Sequence, residues 1–249
     1  MLSFWAKTSG TWINVALVLL GTGCGLLLRN RLPLAMQSII TQAVGLTTLF
    51  IGLSMAQTLS EVTAGAIAGI ILALIALVCG GLAGEWWQIE KRLVAIGDAL
   101  KTRFRGGGRF TEGFVAASLL FCVGPMAILG SLNNGLIGDG TILVIKGTMD
   151  GLVSIALTGS YGIGVGFAIL PVLVYQGSLS LLASSLAGNL ADPANDPRIL
   201  LITGVGGIMI LGLGLNLIEV AKIRVASFLP ALLLVPLLYG VAVNFSPGG

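Results

Sequence analysis

Residues 121–162 read FCVGPMAILGSLNNGLIGDGTILVIKGTMDGLVSIALTGSYG. Between Glu112 and Asp192 the chain carries only three charges, Asp139, Lys146 and Asp150, and all three fall in this stretch. Lys146 and Asp150 stand near the middle of an apolar run over residues 141–158. A charge at such a depth in a bilayer costs roughly 2.5–3.5 kcal/mol on insertion scales, so it calls for a partner or a water-filled cavity. Residues four apart on a helix share one face, one turn from each other. The two charges therefore point to a membrane helix carrying an ion pair, and the rest of the chain reads as a frame around it.

The composition agrees. Of the 249 residues, 56% are hydrophobic and only 9% charged, with a mean hydropathy of +1.03; an ordinary soluble domain has about 25% charged residues. The apolar segments are long and continuous, which specifies helices, because a membrane barrel shows short alternating strands. The formal charge of +3 lies in basic residues beside the span ends and is not a nucleic-acid footprint. No signal-peptide cleavage pattern precedes the first span. Histidine is absent, which excludes His-based metal sites and Ser-His or Cys-His catalysis. Cys24, Cys79 and Cys122 lie in apolar runs at distances that give neither a disulfide framework nor a zinc spacing, so they read as small packing residues. No cofactor and no metal are expected.

The expected fold is an all-α integral membrane domain of about eight spans, at residues 11–28, 35–56, 62–84, 113–132, 141–158, 161–186, 199–218 and 227–243. Residues 85–109 read as a cytoplasmic amphipathic helix with a Gly-rich linker, its apolar positions Ile89, Leu93, Ile96, Leu100 and Phe104 stepping by three or four. Pro171 inside the sixth span should kink it, and residues 187–198, with two Asp-Pro pairs, read as a turn-rich loop. Eight spans put Arg29, Arg31, the basic residues of 85–112, Lys222 and Arg224 on one side, and only Lys7 and Arg198 on the other. By the positive-inside rule both termini face outward and 85–112 is cytoplasmic. Span five is allowed a break near Gly147 or Gly151. A faint repeat, Gly45-x6-Gly52-Leu53-Ser54 against Gly207-x6-Gly214-Leu215-Asn216, suggests an inverted relation of spans 1–3 to spans 6–8, a frequent transporter architecture.

Lys146 and Asp150 admit two readings: a titratable relay or ionic-solute site, and a neutralised structural pair. Gly147 and Gly151 bracket Asp150 and serve either helix packing or local unwinding. Upstream, Gly130, Ser131, Asn133, Asn134 and Gly135, with Gly138-Asp139-Gly140, read as a glycine- and amide-rich turn. It would place Asn133 and Asp139 at an external mouth. Asn14, Gln176 and Asn216 are the other large polar groups within spans; each lines a pathway or bonds a neighbouring helix.

Several of these features are shared with a family. Asn14 followed by Gly21-x3-Gly25 and Leu32-Pro33, Gly84-Glu85 with Glu90-Lys91, and Phe121-Cys122 begin the likeness. Gly130-x2-Asn133-x-Gly135-x2-Gly138-Asp139, Ile142-Leu143-x2-Lys146-x3-Asp150 and Leu229-Pro230-Ala231-Leu232 complete it. The chain resembles, over nearly its whole length, the YdfK/YqgA-type family of uncharacterised bacterial membrane proteins, domain of unknown function 554. That resemblance implies a multi-span plasma-membrane protein and supplies no substrate. The residues themselves favour a secondary transporter or channel for an ion or small charged solute, working as a homodimer within the lipid bilayer and taking no nucleic acid. An enzyme is not expected. Two alternatives stand beside this: a membrane scaffold or regulator acting through helix 85–105, and an intramembrane enzyme in which Lys146 activates Ser131 or Ser154.

Overall fold

The computed structural model describes residues 3–29, 33–186 and 195–245. Among the described residues ten α-helices follow one another: α1 (Phe4–Arg29), α2 (Leu34–Ala56), α3 (Gly69–Trp86), α4 (Ile89–Arg103), α5 (Phe110–Cys122), α6 (Pro125–Ile137), α7 (Thr141–Tyr161), α8 (Ile169–Leu186), α9 (Pro197–Leu217) and α10 (Leu229–Phe245). Among the described residues, seven helical segments are long and apolar enough to cross a membrane. The pair α5–α6, bent by 60° at its break, makes an eighth if taken as one span. The chain divides into two compact units. One holds α1, the first part of α2, most of α4 and α5–α8; the other holds the rest of α2, α3, the start of α4, α9 and α10.

In the first unit α1 and α7 run parallel along a seam of small residues. A Cβ on Gly147 would come within 2.8 Å of Asn14 Cα, one on Gly21 within 2.1 Å of the Gly151 carbonyl oxygen, and one on Gly25 within 2.7 Å of the Ile155 carbonyl oxygen. Backbones this close require glycine, and in lipid such packing takes the place of a hydrophobic driving force. Packing thus accounts for Gly147 and Gly151, and α7 is unbroken over residues 141–161. In the second unit α3 and α10 are antiparallel, with Gly80 against Ala231 and Gly84 against Ser227. There the two Gly-x6-Gly strings meet: a Cβ on Gly52 would strike the Gly207 carbonyl oxygen at 2.8 Å, one on Gly207 the Gly52 oxygen at 2.7 Å, and one on Gly214 the Gly45 oxygen at 3.1 Å.

Several boundaries differ from the sequence expectation. Span four is two helices, interrupted at Val123–Gly124, because Pro125 has no N–H to continue the α5 ladder and instead opens α6. Span five, for which a break near Gly147 or Gly151 was allowed, is continuous, and the break lies in its neighbour. Residues 130–135 are the body of α6 and not a turn; only 138–140 turn, with Gly138 at φ +77° closing the helix. Residues 63–68 form a small antiparallel hairpin turned at Gly65, so the third span starts at Gly69. Pro171 falls in the first turn of α8, where a missing N–H breaks no ladder bond, after a 3-10 segment over Ile163–Ala168. The segment after α3 turns at Gln88 (φ +53°), and Gly97 is the buried position of α4, packed on Thr111 and Phe114, while Ile96 and Phe104 are exposed. The turn-rich loop lies largely outside the described residues; at its end Asp196 caps α9 by accepting the Arg198 backbone N–H.

Candidate functional site

Helical spacing places Lys146 and Asp150 on the α7 face that meets α1, and both are buried, at 7% and 8% exposure. Lys146 Nζ donates to Asp150 Oδ2. The same oxygen accepts from Asn14 Nδ2 at 3.2 Å, and that amide also donates to Gln176 Oε1 at 3.3 Å. One carboxylate oxygen thus gathers α7 and α1, and Asn14 carries the link on to α8. A buried pair survives only with good geometry and further hydrogen bonds, and Asn14 supplies one of them.

The interruption of span four borders this group. Phe121, in the last turn of α5, turns its ring toward Lys146 Nζ, 6.0 Å from the centroid. Cys122 lies within electrostatic range of both charges and of Tyr175 on α8. Beyond it Gly124 is extended, and a side chain there would meet nothing within 4 Å. An interrupted helix offers the carbonyls of one half and the amides of the other to whatever occupies the gap.

The four central residues Lys146, Asp150, Asn14 and Gln176 come together; the other three sequence candidates do not join them. Asn133 is half-buried on α6, and its neighbour Asn134 does the tying. Asn134 Oδ1 accepts the Gly10 N–H at 3.0 Å, while its Nδ2 donates to the Ala6 carbonyl and to Ser9 Oγ, each at 3.1 Å. Asp139 is exposed and accepts the Thr141 N–H at 2.9 Å, opening α7. Hydrogen bonds from Thr141 hold its carboxyl below the ordinary value of 3.8. Asn216 closes the loop after α9, donating to the Ile223 carbonyl and accepting the Ile223 N–H, both at 2.7 Å. It is a loop latch in the other unit.

A second set of groups includes Ser131 and Ser154, which the sequence offered as lysine-activated nucleophiles, and four hydroxyls that it did not single out. Thr11, Thr22, Ser131, Ser154, Thr158 and Ser180 are buried, and their hydroxyl oxygens have no hydrogen-bond partner among the described residues. Asn14 Oδ1 and Gln176 Nε2 share that condition. The available signals were the Gly124-Pro125 pair inside a predicted span and the polar stripe 146, 150, 154, 158 at helical spacing. No group of three or more Cys, Asp or Glu suited to a metal ion occurs among the described residues.

The chain is similar to known proteins along most of its length. The chain is 32% identical over 238 residues to the "Uncharacterized membrane protein YdfK" of Bacillus subtilis (strain 168), covering 95% of this chain and 97% of that protein. It is 30% identical over 232 residues to the "Uncharacterized protein YqgA" of Escherichia coli (strain K12), covering 90% and 93%. No solved structure matches. The family described as "Protein of unknown function (DUF554)" matches residues 9–240, so this multi-span membrane protein, with its paired charges beside a bent helix pair, belongs to that family.

Proposed function

We propose that the protein is a secondary transporter or channel for an ion or small charged solute, whose binding site is the group formed by Lys146, Asp150, Asn14 and Gln176. The observation that carries this reading is a buried ion pair set against an interrupted spanning helix. A merely structural pair would pack more cheaply as two apolar side chains, and irregular backbone at membrane depth is tolerated where it lines a cavity or is buried in protein. The unpartnered hydroxyls of the same unit add a polar lining that packing alone does not require. The reciprocal contact of the two Gly-x6-Gly strings supports an inverted repeat: contacts across a two-fold are self-complementary, residue i meeting j and j meeting i. The reading is non-enzymatic, since Lys146 is engaged by Asp150 while Ser131 and Ser154 have no hydrogen-bond partner. It sets the chain in the plasma membrane with both termini outside and residues 85–112 in the cytoplasm, in line with the placement of the basic residues.

The test is purified protein in liposomes, with solute uptake and solid-supported-membrane current measured across a panel of ions, small carboxylates and amines. A solute-specific signal in the wild type, lost in folded Lys146→Met and Asp150→Asn, is the expected result. Absence of any signal from well-folded wild type would move the weight to a scaffold acting through α4.

A further inference from the structure

We infer that transport through this unit is coupled to a proton, which is exchanged at Asp150 and reaches it along the buried hydroxyls of α1, α6, α7 and α8, and that the co-transported solute carries an anionic group. The inference rests on the transport reading above. It begins with where the unpartnered groups lie. On α7, Ser154 and Thr158 follow Asp150 at four-residue steps, each about 6 Å farther along the axis. Thr158 sits beside Gly25, and Thr22 of α1 packs on Gly166, so these groups extend toward the end of the unit that bears Arg29. In the opposite direction, Ser180 lies beside Gly135 on α6, at the level where Asn134 holds Gly10; Thr11 follows Gly10, and Ser131 stands about one turn before Gly135 on α6. The ion pair stands between the two branches.

Chemistry selects the proton. A hydroxyl is both donor and acceptor and rotates freely between the two roles. A gap of about 6 Å between successive groups is spanned by one bridging water, which such polar lining can hold. A hard metal cation instead asks for several oxygen ligands with carboxylates among them. Here Asp150 is the one carboxylate among the described residues of α7, and Lys146 already balances it. A metal cation would remain a separate charge beside the ammonium, whereas a proton is taken up into a neutral carboxyl group. When it binds the Asp150 carboxylate, an O–H bond forms, the Lys146–Oδ2 ion pair breaks, and the site changes from net zero to +1. The freed ammonium then holds an anionic group. When the proton leaves, the pair re-forms and the anion is released. The groups facing the pair from other elements leave this exchange to Asp150. From α1 comes Asn14 and from α5 come Phe121 and Cys122; α8 brings Gln176, with Tyr175 beside Cys122, and α6 carries no ionisable residue.

The experiment uses the full chain in proteoliposomes with trapped pyranine, a pH step, and a panel of small carboxylates and amines supplied outside. Proton entry that depends on a carboxylate is expected in the wild type and absent in Asp150→Asn. Ser154→Ala and Thr158→Val should slow it about two- to tenfold, the scale of one lost hydrogen bond. Ser178→Ala, at an exposed hydroxyl, should leave it unchanged. The serine and threonine variants keep the test alive if Asp150→Asn fails to fold. Solute uptake with no accompanying proton movement would overturn the coupling and leave transport standing. Uptake of amines in preference to carboxylates would overturn the anionic assignment. No movement of solute or proton by folded wild type would overturn both the coupling and the transport reading.

Discussion

The seam between α1 and α7 is what holds Asn14 against Asp150, and Gly21→Ala tests it. The new Cβ would lie 2.1 Å from the Gly151 carbonyl oxygen, more than 1 Å inside ordinary contact. The obstacle is backbone, so no side chain can swing away and the helices must part. Forcing a methyl into a packed seam costs about 1–3 kcal/mol. A separation of about 1 Å also carries the Asn14–Asp150 bond from 3.2 Å past hydrogen-bonding range, and a bond to a charged group is worth about 1.5–3 kcal/mol. The expected loss is on the order of 3 kcal/mol. Gly23→Ala is the internal control: Gly23 is exposed on the same helix, a Cβ there meets nothing within 4 Å, and alanine is the better helix former by about 0.5–1 kcal/mol. Reversible denaturant unfolding in detergent, followed by solute uptake in liposomes, reads both effects. Equal stability of the two variants would refute the close approach and with it the seam's role in assembling the site.

Other consequences are as direct. Lys146→Met or Asp150→Asn alone strands a polar or charged partner and should cost about 3–5 kcal/mol, whereas the double variant should recover much of that loss; additive losses in a double-mutant cycle would show that the pair is not coupled. Asn134→Ala removes the three bonds that tie α6 to the start of α1, and an unfolding free energy lowered by about 1–3 kcal/mol is expected from the buried groups left unpaired. Glu90, half-buried on α4, accepts the Ala226 N–H at 2.9 Å, and burial holds its carboxyl above the ordinary value of 4.5. A raised folded value means that its contribution is fully present below the unfolded value and is lost as pH rises through the folded one. Glu90→Gln should therefore flatten the stability profile above pH 4.5 and shift stability at neutral pH upward by a few tenths of a kcal/mol, about the scale left after solvent screening. An unchanged pH profile in unfolding experiments would refute this.

The helices and the central pair were legible because each has a local signature. Apolar length marks a span, and a four-residue step puts Lys146 and Asp150 on one face whatever surrounds them. Asn14 and Gln176 were visible as large polar groups in apolar runs, but their meeting with Asp150 depends on the α1–α7 register, which the glycines set through contacts distant in sequence. Asn216 carried the same signal as Asn14 and turned out to latch a loop, since a lone amide does not reveal which backbone it will face. Asn133 and Asn134 were indistinguishable until α6 continued to Ile137, when a rotation of one residue placed Asn134 against Gly10 and left Asn133 half-buried.

The position of the break follows from what a charged helix can tolerate. Interrupting α7 beside Lys146 and Asp150 would add unsatisfied backbone groups to the burial cost of two charges, and each such group costs several kcal/mol in hydrocarbon. Keeping α7 whole confines the cost to the side chains and fixes their spacing, and the glycine seam fastens that helix to α1. The interruption then falls in the adjacent span, where Gly124-Pro125 ends one helix and opens the next without stranding a Pro N–H. The charged pair on a continuous helix is thereby set beside the break between α5 and α6. On the proton-coupled transport reading proposed above, bond exchange at Asp150 changes what the gap between α5 and α6 will hold.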